Sequence, residues 1–135
     1  MNVRFADTAY YIALLNQSDE GHQSAMDVTR SFAGKTVTTS AVLQELGNYL
    51  AQPEANRELF VNIVRELRLD PTVEIVHVDQ RLWEAGLGLF AARPDKKWSI
   101  TDCISFVVMN ELTIEDALTT DHHFEQAGFR LLLRV

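Results

Sequence analysis

Short strand-like runs alternate with helical stretches along the whole chain, and this alternation restricts the fold more than any other feature of the sequence. Val3–Ala6, Lys35–Thr39, Val73–Val78, Ala117–Thr120 and Arg130–Arg134 read as strands. Most are short and rich in β-branched or apolar residues, which fit a pleated sheet. Between them lie helix-like segments. Thr8–Leu15 is apolar, and His22–Phe32 is amphipathic with Gly34 placed as a stop. Ser40 can cap a helix to about Ala51, Glu54 begins a long helix to about Leu69, and Asp70-Pro71 ends it. Asp79 precedes a helix over Gln80–Ala92, and Ser99 starts one to about Leu112 whose apolar second half predicts deep burial. Asp121–Ala127 is a short helix stopped by Gly128. Such alternation predicts right-handed crossovers and a parallel sheet covered on both faces. Ligands then bind at the carboxyl ends of the strands.

The chain has 135 residues and no repeat, linker or low-complexity segment, so residues 1–135 are expected to form one domain. No apolar run approaches the roughly 18 residues of a membrane span, which argues against a membrane partner. The N-terminal MNVRFAD lacks a signal-peptide core, so a cytoplasmic location is expected. Cys103 is the only cysteine, which rules out an internal disulfide or a cysteine-based zinc site within the chain. The formal net charge of −7 argues against a broadly basic nucleic-acid-binding surface.

Acidic residues recur where α/β sites form. Asp7 ends the first strand and Asp121 the fourth; Glu45 and Asp102 lie in early turns of helices. All four face the same predicted edge. Each also has an ordinary structural reading: Asp7 and Asp121 as helix caps, Asp102 as half of a Ser99–Asp102 capping box, Glu45 as a solvated helix residue. Asp79 also follows a strand, so position alone does not select the set. Gathered together, such carboxylates repel, by roughly 4 kcal/mol for a pair about 4 Å apart at an effective dielectric of 20. One or two Mg2+ or Mn2+ ions remove that cost, activate water and stabilise the leaving oxygen of a phosphodiester. Two such ions would also offset more than half of the net charge. Arg93, Lys96 and Lys97, close to Asp102 in sequence, are candidates for phosphate contacts.

The adjacent His122 and His123 form a less promising metal motif. Consecutive helix positions point about 100° apart, whereas a helical pair sharing a metal uses i, i+4 spacing. Surface or packing roles are expected for both. His22 is expected as a partly buried helix residue and His77 as a strand residue. The sequence has no Gly-rich phosphate loop, no G-x-S-x-G elbow and no cysteine near a predicted base.

The stretches Phe5-Ala-Asp-Thr-Ala9, Thr38-Thr-Ser-Ala-Val-Leu-Gln-Glu45, Trp98-Ser-Ile-Thr-Asp-Cys-Ile-Ser105 and Leu118-Thr-Thr-Asp-His-His-Phe-Glu-Gln-Ala-Gly-Phe129 together resemble the PIN-domain family, in particular its VapC-like ribonuclease toxins. The resemblance covers nearly the whole chain. It implies a three-layer α/β/α sandwich with a mostly parallel sheet and Mg2+- or Mn2+-dependent hydrolysis of single-stranded or loop RNA. It further implies a homodimer and, for toxin members, a small antitoxin. By motif position Asp7, Glu45, Asp102 and Asp121 match the family's acidic cluster, with Asp7, Asp102 and Asp121 as metal ligands. Thr8, Ser99 and Thr120 match supporting polar positions. Two rivals remain: a PIN-like module that binds RNA or a partner without turnover, and a phosphoacceptor receiver domain. The receiver reading fits poorly, because Thr8 follows Asp7 where an acidic pair is needed, and Lys35, Lys96 and Lys97 are the only lysines.

Overall fold

A computed structural model describes residues 2–135. In chain order its elements are β1 (Val3–Ala6), α1 (Thr8–Leu15), α2 (His22–Ser31), β2 (Lys35–Thr39), α3 (Ser40–Tyr49) and α4 (Ala55–Leu69). They continue with β3 (Val73–Val76), α5 (Gln80–Ala92), α6 (Ile100–Glu111), β4 (Asp116–Leu118), α7 (His122–Gln126) and β5 (Arg130–Leu131). The five strands form one sheet in the order β3-β2-β1-β4-β5, and every neighbouring pair is parallel. Helices flank this sheet in the expected three-layer α/β/α arrangement. The chain builds outward from β1 through β2 to β3. It then crosses back to lay β4 against the other side of β1. The strand order therefore reverses between β1 and β4, and the crevice beyond their carboxyl ends is where such sheets bind ligands.

Several strands are shorter than the sequence predicts, and their partners explain why. β3 stops at Val76, opposite Thr39, where β2 gives way to a helix. His77 consequently lies past the strand and is exposed. β5 has two residues, Arg130 and Leu131, which pair with Asp116 and Ala117 of β4. At the start of α3, Thr39 rather than Ser40 is the cap: its Oγ1 accepts from the Val42 N–H at 3.1 Å. Ser40 is already helical, and its Oγ instead accepts from the Val78 N–H at 2.9 Å. Asp79 caps α5 as expected, accepting from the Leu82 N–H.

The core lies along β1, β4 and α6. Cys103, Ile104, Phe106, Val108 and Met109 of α6 are all buried, which matches the apolar run in the sequence. Phe106 packs edge-on against Phe124 and Trp98, with ring centroids 4.9 and 5.0 Å apart. This cluster anchors α6 and α7 beside the end of β4. Among the described residues, no helix is long and apolar enough to cross a membrane.

Candidate active site

Asp7 follows β1 directly and is 4% exposed. It occupies the N-cap position of α1, yet its side chain makes no capping hydrogen bond. Its Oδ2 instead accepts from Thr119 Oγ1 at 2.9 Å. Thr119 Oγ1 in turn accepts from the Asp121 N–H at 3.0 Å. One buried hydroxyl thus ties the acid after β1 to the acid after β4. Burial pushes the Asp7 carboxyl up to about 7; the bonds from Thr119 and the Thr8 backbone pull it back, while Asp102 and Asp121 push it further.

Asp102, 7% exposed, reaches the same place from the first turn of α6. The capping box is real: the Ser99 N–H donates to Asp102 Oδ2 and the Asp102 N–H to Ser99 Oγ, each at 3.0 Å. One side chain therefore completes the capping box and also lines the hollow shared with Asp7 and Asp121. Burial raises the Asp102 carboxyl above its ordinary range, opposed by the Ser99 N–H and reinforced by Asp121. Asp121 caps α7, accepting from the His123 N–H at 2.9 Å, and remains partly open to solvent.

His123 departs from the sequence-based expectation. Its Nδ1 lies 3.1 Å from Asp102 Oδ2 and 3.2 Å from Asp121 Oδ1. The spacing argument counted against a metal shared between two adjacent histidines; it did not bear on one histidine acting with carboxylates from other elements. His122 points elsewhere and is exposed, as the 100° turn per residue requires. His22 behaves as expected: it is half-buried and its Nδ1 lies 2.7 Å from the Ala13 carbonyl oxygen.

Asp7, Thr8, Glu45, Lys97, Ser99, Asp102, Asp121 and His123 line one hollow of about 350 Å³. Glu45 stands exposed at its rim. Thr120 is elsewhere, lining a surface hollow with Asn16 and Asp19, so Thr119 takes the supporting position that the sequence motif gave to Thr120. Lys97 borders the acidic hollow, whereas Lys96 and Arg93 line an adjoining one that Lys97 also borders. Arg93 is paired with Asp95, its Nη2 lying 2.9 Å from Oδ2.

This donor set fits a hard divalent cation. Ligand atoms of Asp102, Asp121 and His123 lie within 4.8 Å of one another, and Asp7 adds a third carboxylate to the hollow. Thr8 Oγ1 is buried there with no hydrogen-bond partner among the described residues. An orphaned hydroxyl and a carboxyl held near neutrality mark a site short of positive charge. The oxygen-rich set suits Mg2+ or Mn2+.

Residues 4–130 match the family model described as the PIN domain. The chain belongs to the PIN-domain family. Among its relatives, this PIN domain is 29% identical over 125 residues to the 23S rRNA-specific endonuclease VapC20 of Mycobacterium tuberculosis, covering 93% of this chain and 94% of that protein. The crystal structure of M. tuberculosis VapC20, a sarcin-ricin loop cleaving toxin, superposes with a TM-score of 0.84 at 28% identity, over 94% of this chain and 96% of that one. FitAcB from Neisseria gonorrhoeae matches at a TM-score of 0.71 with 13% identity, over 95% of each chain. VapBC2 from Rickettsia felis, bound to a promoter DNA fragment, matches at 0.65 with 11% identity, over 96% of each. These last two share the fold of the PIN domain.

Proposed function

We propose that residues 1–135 act as a single cytoplasmic nuclease domain, a metal-dependent endoribonuclease that serves as the toxin of a toxin–antitoxin pair. The likeness to VapC20 over nearly the full length of both chains supports RNA as substrate and toxin as role. The convergence of Asp7, Asp102 and Asp121 at the β1/β4 reversal carries the catalytic assignment.

Asp7, Asp102 and Asp121 hold the cation, Mg2+ or Mn2+, and His123 is poised to join them. Bound there, a divalent cation supplies charge neutralisation and Lewis acidity to a phosphodiester. Thr119 fixes the Asp7 carboxylate, and the Ser99 backbone fixes that of Asp102. Glu45, at the open rim, orients water toward the phosphorus. Lys97 meets the phosphate chain at the mouth of the hollow. Lys96 extends that contact, joined by Arg93 when it releases Asp95, since an exposed pair of this kind holds weakly.

Trp83, Leu87 and Phe90 follow i, i+4, i+7 spacing on α5 and are 43, 36 and 49% exposed. This apolar stripe supports self-association as a homodimer. A cognate antitoxin would cover the acidic hollow.

Asp7→Asn and Asp102→Asn are each expected to abolish Mg2+- or Mn2+-dependent cleavage of a structured RNA panel while circular dichroism stays native. EDTA should do the same to the wild type. Full activity of both variants would overturn the assignment.

A further inference from the structure

Arg4 sits on β1 near the end of the sheet opposite Asp7, and it is 4% exposed. Arginine is almost never buried so deeply without a partner. Here no carboxylate among the described residues lies within ion-pair distance of it; the six ion pairs present all involve other groups. Nε donates to Thr36 Oγ1 at 3.2 Å, and Nη1 to the Val28 carbonyl at 3.3 Å in the last turn of α2. Nη2 donates to no protein atom among the described residues, yet it is not sealed from solvent space. The guanidinium carbon lies 3.6 Å from the ring centroid of Phe32 and 6.0 Å from that of Tyr10. The aromatic faces and the helix-end carbonyl soften the charge, but neither neutralises it.

Arg4 borders a cavity of about 360 Å³, lined also by Tyr10, Tyr11, Phe32, Leu67 and Asp70. That is the small end of the range for small-molecule pockets, roughly 300–1,000 Å³. The cavity is distinct from the acidic hollow and shares no lining residue with it. We propose that the Arg4 cavity binds a small organic monocarboxylate with a flat or aliphatic body. The charge count selects the ligand. Arg4 is the one cation among the described residues that line the space, the Tyr10 hydroxyl is engaged with Thr29 at 2.7 Å, and Asp70 stands at the wall. A phosphate dianion would bring one charge more than Arg4 offsets. A carboxylate takes the free N–H in a charge-assisted bond while its body packs on Tyr11, Phe32 and Leu67.

The test is titration of the metal-free full chain with benzoate, octanoate, benzamide and inorganic phosphate, followed by calorimetry and amide NMR. Benzoate or octanoate should saturate a site whose shift changes centre on Arg4, Tyr10 and Phe32. Benzamide, the neutral analogue, and phosphate should bind at least about tenfold more weakly, a difference of about 1.4 kcal/mol. Arg4→Met should weaken benzoate by a similar factor, and Asp7→Asn should leave it unchanged. The Asp7 variant also separates this site from the nuclease reading, which fails or stands on RNA cleavage alone. Arg4→Met removes an anchor of α2, so Leu67→Trp, which fills the cavity from its apolar wall, is the second variant and should also weaken benzoate at least about tenfold. Absence of saturable carboxylate binding to the wild type overturns the proposal. So do shift changes centred on Asp102 and Asp121, or phosphate binding tighter than benzoate.

Discussion

Asp7 shows how strongly one buried carboxylate can control the molecule. Its native pKa of about 7 lies well above the ordinary 3.8, mainly through burial. Between those two values the folded state holds the proton more tightly than the unfolded state does. Stability of the metal-free protein should therefore fall as pH rises from 3.8 to about 7, then level off. At about 1.4 kcal/mol per pH unit, the interval is worth roughly 4 kcal/mol. In EDTA at pH 8, Asp7→Asn should thus melt several degrees above wild type, with the gap closing toward pH 4. Added Mn2+ should raise the wild-type Tm and leave the variant nearly unmoved. Equal melting at pH 8 in EDTA would contradict this account. Thr119 gives a second check. Thr119→Val strands the Asp121 N–H and frees the Asp7 carboxylate, costing about 1–3 kcal/mol in urea unfolding and much of the cleavage rate. Thr120→Val, outside the hollow, should stay within about 0.5 kcal/mol and keep its activity. The three aspartates were legible because each follows a strand or opens a helix in a motif of fixed spacing. Thr119 and His123 were not. Which of two adjacent threonines turns inward depends on where β4 leaves the sheet, and His123 gains its role only by meeting Asp102 from another helix.

At the scale of elements, α5 and α6 pack closely at Gly86. A Cβ at Gly86 would lie 2.6 Å from Ile104 Cγ1, so alanine there must displace the buried Ile104 side chain. Overpacking of this kind costs about 1–3 kcal/mol, against a helix-propensity gain of up to about 1. Gly86→Ala should therefore lower the urea midpoint. Gly88, two residues along the same helix, meets nothing within 4 Å, and Gly88→Ala should raise it by up to about 1 kcal/mol. A reversal of these two signs would show that the α5/α6 spacing is misjudged. Helix positions were readable from the sequence because caps and breakers mark their ends: Asp79, Ser99, Asp121 and Gly128 all fall where expected, the last with φ +97°. Strand ends were less readable. The length of β3 is set by where β2 stops, and pairing across the sheet is not written in a strand's own residues. The cap of α3 slipped by one residue for a similar reason, since Ser40 is drawn away by the Val78 N–H.

For the molecule as a whole, the arrangement of surface groups decides how the site is used. The −7 net charge predicts no broad attraction for RNA, so binding must rely on the few cations beside the hollow. A second copy of the chain would add another such set without adding any to the sequence. On the proposed homodimer reading, the stripe of Trp83, Leu87 and Phe90 holds that copy. It lies on the helix that ends just before Arg93, Lys96 and Lys97. A two-fold contact through α5 would therefore bring two basic segments and two acidic hollows to one assembly. Leu87 is at the centre of the stripe, and a carboxylate there would be buried without a partner on both sides of a symmetric contact. Leu87→Glu should convert a dimer into a monomer in sedimentation at micromolar concentration, with circular dichroism unchanged. If the basic segments act jointly, the monomer should show a raised KM for RNA and a shallower salt dependence, with kcat nearly preserved because the acidic cluster is complete within one chain. A wild-type protein that sediments as a monomer at the same concentration would exclude the stripe as an interface between copies. The phosphate contacts would then have to come from Lys96, Lys97 and Arg93 of a single chain.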